Sequence, residues 1–375
     1  MKIGCPKEIK NSEFRVGLTP AAARAYTQHG HSVLIQKGAG QGSGILDSEY
    51  EQAGALLLDS AQEIWQQAEM IVKVKEPLPE EYDLMQPGQI VYTYFHLAAS
   101  QQLTQACLDK KIIAVAYETV QSDSGALPLL KPMSEVAGRM APLMAAFYMA
   151  RPFGGRGLLP TGVPGVLPAN VLILGGGVVG SNAAKTAAGF GCQVTIMDIQ
   201  VDTLEHLGNI LPVNVFTQFS NSHNLEAALE RADIVIGAVL LPGAKAPKLL
   251  GRKELQRMKP GAILVDVAID QGGCAETSRP TTHGDPVYLE EEVLHYCVAN
   301  MPGAYSRSST FALNHATIGY GLQLANKGIK RACQEDPILC RGLNAYQGIL
   351  TCQPVAEAFA LQDVCRAPQE LMQEA

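Results

Sequence analysis

Residues 170–198 read NVLILGGGVVGSNAAKTAAGFGCQVTIMD, and this stretch decides the fold. An apolar run ends at Leu174, and Gly175, Gly177 and Gly180 follow as G-x-G-x-x-G. An Ala-rich segment then leads to a second apolar run that ends on Asp198. The spacing predicts strand, tight turn, helix and strand, the opening of a nucleotide-binding α/β unit. The glycines play different parts. The first turns the chain, the second lets backbone approach a pyrophosphate, and the third lets helix and strand pack closely. The helix start then presents free N–H groups to phosphates. A carboxylate at position 198 accepts from ribose hydroxyls and repels a 2′-phosphate, so the expected cofactor is NAD rather than NADP.

Outward from this stretch the same alternation continues. Toward the amino terminus, KIGCP (2–6), SVLIQK (32–37), MIVKVK (70–75), QIVYTYFH (89–96) and IIAVAYE (112–118) read as strands. TPAAARAYTQHG, SAQEIWQQA and SQQLTQACLDKK read as helices between them, the first with Thr19 as N-cap and Pro20 in its first turn. Toward the carboxyl terminus, DIVIGAV (233–239) and AILVDVAI (262–269) read as strands, and residues 301–333 as helix. The last forty or so residues give no clear pattern. Alternation of this kind means mainly parallel sheets covered by helices on both faces. GAGQGSG (38–44) lacks the third glycine of the fingerprint and reads as a flexible loop. By composition alone, the Gly/Pro-rich stretch from Arg151 to Asn170 is the best linker.

The chain has 375 residues, 47% hydrophobic and 17% charged, enough for two domains with cores of their own. A net charge of −7 without a Lys/Arg cluster argues against nucleic-acid and membrane partners. The charged opening, MKIGCPKEIKN, does not read as a signal peptide. Nine scattered cysteines, none spaced C-x-x-C, argue against a disulfide framework or a metal site. The expectation is a soluble cytoplasmic protein.

Several charged residues fall where strands end, the usual place for ligand sites in parallel sheets. Lys73 and Lys75 alternate with valines and would share one face of a half-buried strand. Tyr92, Tyr94 and His96 would share another, with His96 last. Asp270 precedes a Gly-Gly turn, and Arg15 lies before the first helix. Each has a bland alternative as a surface charge, core histidine or turn former. Together they offer a carboxylate anchor, a carbonyl polariser and an acid/base pair, the set needed by a dehydrogenase acting on a small acid.

The runs PKEIKNSEFRVGLTP, VKVKEPLPEEYDL, TYFHLAAS, LPLLKPMSEVAGRMA, LILGGGVVG, IGAVLLPGAKAPKLL, VDVAIDQGG, ETSRPTTH and VANMPGA together resemble the L-alanine dehydrogenases, from Met1 to about Asp363. The resemblance implies two Rossmann-like, doubly wound α/β domains with an active-site cleft between them. The substrate domain would be discontinuous, 1–132 plus 308–375, around an NAD-binding domain at 133–307. It implies reversible oxidative deamination of L-alanine to pyruvate and ammonium with NAD, and a homohexamer. His96 and Asp270 would be catalytic, and Arg15, Lys75, Tyr94 and Asn300 would bind substrate. Cofactor contacts would come from Ser134, Gly175, Gly177, Val178, Val179, Gly180, Asp198, Ser220, Val239 and Leu240. Val267, Ala268, Ile269, Asp270, Arg279, Val298, Ala299, Asn300 and Met301 would complete them, with Thr203 where many members carry a basic residue. Tyr305-Ser306 and TIGYG also depart from the common pattern. Two alternatives stand beside this reading: the nucleotide-binding subunit of a transhydrogenase, whose T-Y-x-H run differs, and an NAD-binding protein without turnover.

Overall fold

A computed structural model describes residues 1–239 and 246–373. The strands, in chain order, are β1 (Lys2–Cys5), β2 (Ser32–Gln36), β3 (Leu56–Leu58), β4 (Met70–Val72), β5 (Ile90–Thr93) and β6 (Ile113–Ala116). They continue as β7 (Asn170–Leu174), β8 (Gln193–Asp198), β9 (Val215–Phe219), β10 (Ile234–Gly237) and β11 (Ile263–Asp266). The last are β12 (Val287–Glu290), β13 (Val293–Tyr296), β14 (Leu343–Tyr346) and β15 (Ile349–Leu350). The chain divides into two compact units, one made of Met1–Met133 with Gly303–Ala375, the other of Ser134–Pro302. The Gly/Pro-rich stretch at 151–170 lies inside the second unit, as a long loop rather than a domain linker.

In the first unit the sheet order is β15-β14-β6-β5-β4-β1-β2-β3, and in the second β12-β13-β11-β10-β7-β8-β9. The parallel strands of both follow one rule: the chain winds outward from a central strand, returns, and winds the other way. The reversals fall between β1 and β4 and between β7 and β10, where the crossovers leave a crevice at the carboxyl ends of the strands. Antiparallel strands close one edge of each sheet.

Burial explains why these runs are strands. In the second unit Val171, Ile173, Ile196, Ile236 and Val265 pack into one cluster, while Leu172, Leu174, Met197, Val235 and Leu264 pack into another. Neighbouring residues alternate between the two faces, so a continuous apolar run is what a sheet covered on both sides requires. The helices begin where their caps stand: Thr19, Ser60 and Ser100 accept from the backbones of Ala22, Glu63 and Leu103.

Several strands stop sooner than the sequence pattern suggests. MIVKVK is strand only to Val72, so Lys73 and Lys75 lie beyond it, and QIVYTYFH ends as strand at Thr93. After Asp266 the chain turns into a 3₁₀ segment, Val267–Gln271, which carries Asp270. The GAGQGSG loop is tied rather than free: Ser43 is buried, its Oγ donates to the Phe14 carbonyl, and Arg307 donates to the carbonyls of Ser43 and Gly44.

Two of the three fingerprint glycines, Gly175 and Gly180, are required on steric grounds, each for a different reason. Gly175 has φ +105°, and a Cβ there would stand 2.8 Å from the Ala238 carbonyl oxygen. A Cβ on Gly180 would stand 1.9 Å from the Gly175 carbonyl oxygen, whereas one on Gly177 would meet nothing within 4 Å. Gly180→Ala should therefore push helix and strand apart and cost roughly 1–3 kcal/mol, while Gly177→Ala should leave stability nearly unchanged. Thermal melts of the two variants check this, and equal melting temperatures would contradict it.

Candidate active site

In the first unit β1, β4 and β5 are adjacent and parallel, so the segments leaving their carboxyl ends emerge side by side. Those segments carry Arg15, Lys75, Tyr94 and His96. Arg15, Lys75 and His96 are each held by a buried or half-buried acid that the sequence pattern did not single out.

The guanidinium of Arg15 is almost fully buried. Glu13 accepts from its Nε at 2.7 Å and also from its Nη2, while Nη1 lies 3.1 Å from Met133 Sδ. The two-pronged grip that a guanidinium can offer a carboxylate is here made with Glu13.

Lys73 is not on a solvated strand face: it is fully buried between Glu8 (3.2 Å) and Glu81 (2.9 Å). Burial alone would discharge the ammonium, but the two carboxylates hold its pKa above the ordinary lysine range. Burial likewise raises the Glu8 carboxyl, and Lys73 opposes that rise. Glu8 Oε1 also accepts from the backbone N–H groups of Val74 (2.6 Å) and Lys75 (3.3 Å). The half-buried Lys75 is thus mounted on a backbone fixed from below, and Thr93 Oγ1 donates to its carbonyl.

His96 sits at φ +51°, an uncommon conformation for a residue with a side chain. The Glu118 carboxylate stabilises it by accepting from the backbone N–H groups of Phe95 (3.1 Å) and His96 (2.6 Å). The ring stacks on Tyr94 and turns Nδ1 toward Glu76 Oε2 at 3.8 Å. Tyr94 itself is buried and donates to the Leu129 carbonyl at 2.6 Å; burial raises its phenol, so it acts as a neutral donor. The shared face expected for Tyr92, Tyr94 and His96 survives past the strand end only as a chain of ring contacts, with Tyr117 edge-on to both tyrosines.

In the second unit the glycine turn, Asp198, Ser220, Val267–Asp270 and Val298–Met301 all lie at or just beyond the carboxyl ends of β7, β8, β9, β11 and β13. The helix Val178–Gly189 begins at Gly177, which offers no side-chain cap to its first N–H groups. Open space at Gly177 and uncapped amides behind it suit a pyrophosphate. Asp198 makes contacts that the sequence did not show. Its Oδ2 accepts from Gly176 N at 2.7 Å and its Oδ1 from Gln200 N at 2.9 Å, so it braces the glycine turn. A Cβ on Gly176 would meet Thr203 Cγ2 at 2.8 Å, which places Thr203 against the same turn. Ser220 N donates to the Asp198 carbonyl.

Asp270 is exposed, and its Oδ1 stands 3.4 Å from the N–H of Asn300, a residue at φ +60°. The buried Asp266 holds this loop in shape: it accepts from Ala268 N, Cys274 N and Ser278 Oγ. Arg279 lies over the Tyr288 ring at 3.9 Å, and Tyr288 stacks in turn on His295. Ser134 lies in the helix Lys131–Tyr148, which approaches the glycine-turn helix at Gly138; a Cβ there would stand 2.3 Å from the Val179 carbonyl oxygen. Val178 and Val179 open that second helix, Val239 is half-buried, and Leu240 lies outside the described residues. Ala268, Ile269, Val298 and Met301 are buried and Ala299 donates to the Thr281 carbonyl, so these positions offer chiefly backbone.

Of the bracing acids, Glu118 closes the run IIAVAYE and Glu76 ends VKVKE, so an acid at the tail of a strand run was the available signal. Glu8, Glu13 and Asp266 carry no comparable mark.

The family profile described as alanine dehydrogenase/PNT, N-terminal domain, matches residues 4–137, and the corresponding C-terminal domain matches residues 141–353. The alanine dehydrogenase of Methanococcus maripaludis is 53% identical over 96% of this chain and 97% of its own. A solved L-alanine dehydrogenase superposes with TM-score 0.93 at 49% identity, over 96% of this chain and 99% of its own. A transhydrogenase structure from Sinorhizobium meliloti has TM-score 0.81 at 23% identity, over 94% of this chain and 100% of its own, a likeness of fold alone.

The buried triad yields a direct test. Lys73→Ala strands the Glu8 and Glu81 carboxylates and should destabilise the protein by about 3–5 kcal/mol. A denaturant midpoint close to that of the parent would contradict this account of the strand-end loop.

Proposed function

The chain belongs to the alanine dehydrogenase/PNT family, and from that premise we propose that it interconverts L-alanine and pyruvate plus ammonium with NAD. The observation that carries the reading is the joint presence, at strand ends of the doubly wound sheets, of the Arg15, Lys75 and His96 set and of a complete glycine turn with Asp198. High identity to alanine dehydrogenases, against a fold-only likeness to a transhydrogenase, supports the enzyme over its nearest alternative.

The second unit would hold NAD through the amides after Gly177, the Asp198 carboxylate and the backbone of Val267–Asp270 and Val298–Met301. NAD supplies the hydride acceptor for the alanine Cα hydrogen. Arg15 holds the substrate carboxylate and Lys75 donates to the substrate oxygen, which fixes orientation before chemistry. Loss of hydride from alanine leaves an iminium. His96 takes a proton from water as its oxygen bonds to that carbon, and the carbinolamine then expels ammonia to give pyruvate. Asp270 complements the cationic intermediates. The first unit is the substrate unit and the second the cofactor unit. Among the described residues no helix is long and apolar enough to cross a membrane. The family reading extends to a cytoplasmic location and a hexamer; the exposed rings of Phe147 and Phe153, stacked on each other, support self-association, and light scattering measures the mass.

Purified protein should reduce NAD with L-alanine and oxidise NADH with pyruvate and ammonium; NADH binding without turnover in either direction would overturn the proposal. His96→Ala should lower kcat by roughly two to four orders of magnitude with NADH affinity preserved, and a variant keeping most of its rate would move the proton transfer elsewhere. The wild type should prefer NAD over NADP by roughly ten- to a hundredfold, the factor set by losing one charged hydrogen bond. Asp198→Ala should weaken NAD and narrow that ratio, and Thr203→Arg should narrow it further. A wild type that uses both coenzymes equally would show that Asp198 serves only to brace the turn.

A further inference from the structure

We propose that Glu76 is a positioning residue for His96: its carboxylate selects the Nδ1–H tautomer and leaves Nε2 as the atom that takes and returns the proton. This deepens the alanine dehydrogenase reading and rests on it.

Three observations converge. First, the two oxygens of Glu76 are in different situations: Lys10 pairs with Oε1, while Oε2 is buried and without a hydrogen bond. Second, the polar atom facing Oε2 is His96 Nδ1, at 3.8 Å. A buried carboxylate oxygen needs a donor, and imidazole supplies one when the proton is on Nδ1. Catalytic hydrogen bonds are often long before ligands bind and tighten in the complex. Third, the ring is held where it stands. The His96 amide is bound to Glu118, its backbone is left-handed, and its face stacks on Tyr94 with centroids 5.9 Å apart.

The electrostatics agree. Burial pushes the Glu76 carboxyl up, but His96, Lys10 and Lys75 outweigh it and bring the pKa down to about 2. Glu76 is therefore ionised throughout the working range and can offset an imidazolium charge. The charged groups facing Glu76 are Lys10, Lys75 and His96; those facing His96 are Glu76, beside the ring, and Glu118, at its amide.

In the oxidative direction a water O–H bond breaks as the water oxygen bonds to the iminium carbon, and the proton goes to Nε2. Glu76 stabilises the resulting imidazolium. Nε2 then returns the proton to the departing nitrogen. A histidine with the other tautomer would present an N–H to the water and could not accept.

The test compares full-length wild type with Glu76→Gln, Glu76→Asp and Lys10→Met. Glu76→Gln should lower kcat at least about tenfold while pyruvate KM and NADH affinity stay within about twofold. Glu76→Asp should recover part of the rate, and Lys10→Met should keep it. Histidine ¹⁵N shifts should show Nδ1 protonated in the wild type and lose that preference in Glu76→Gln. Unchanged kcat and an unchanged preference for protonated Nδ1 in Glu76→Gln would overturn the proposal. So would equal losses of rate and melting temperature in Glu76→Gln and Lys10→Met, which would make the carboxylate a strut. A wild type without alanine turnover would overturn the activity reading instead, and the ¹⁵N shifts would still decide the tautomer.

Discussion

A buried ammonium, Lys73, is the constraint on which the first unit of this protein depends. An unpaired charge in that position would not stay charged, so Glu8 and Glu81 must stand on either side of it. Glu8 comes from the segment after β1, Lys73 from the end of β4, and Glu81 from the short helix Pro79–Tyr82. Tyr117, beyond β6, closes the ring by donating to the Lys73 carbonyl. One ionic cluster therefore ties together the segments that present the functional side chains. The same carboxylate that stabilises Lys73 binds the amides of Val74 and Lys75, so charge compensation and backbone positioning are a single arrangement.

The second unit uses carboxylates in the same way. Asp198 draws in the amide of Gly176, and Asp266 gathers two amides and a hydroxyl around the loop bearing Asp270. Each acid satisfies backbone donors that a tight turn would otherwise leave unpaired. The turns after the strands are thus shaped by acids as well as by glycines, with Asp198 bracing the glycine turn.

How much of this was legible follows from the range of each interaction. The glycine turn and its two strands could be read because everything that specifies them lies within one short stretch; β7 spans the five residues expected. The Lys73 and Lys75 alternation misled because period-two arithmetic holds only while the chain is a strand, and the strand ends at Val72. The same holds for His96, whose left-handed backbone breaks the pattern carried past Thr93. The pairings of Glu8 with Lys73 and of Glu118 with His96 join residues far apart in sequence, and no local periodicity records them. The missed strands are mostly short edge pieces: β9 is half exposed, and β12, β14 and β15 pair antiparallel. β9 and β12 lack two buried faces and show no continuous apolar run, while β14 is buried but its run LNAY is interrupted by Asn344.

The first unit is assembled from both ends of the chain, and that imposes an order on its biosynthesis. A ribosome releases β6 early, yet the strand that covers its outer edge, β14, is made near the end. The helix Ser306–Glu335, whose Asn314 accepts from Thr19 and donates to the Gly17 carbonyl, is also late. The second unit is continuous and can close its sheet during elongation, while the nascent first sheet keeps an open, wholly apolar edge at Ile113–Ala116. Such an edge is a template for pairing with another chain. The interval before residues 343–346 emerge is therefore a period in which the polypeptide needs chaperone cover, and a message truncated before that point yields a product with no native partner for the outer edge of β6.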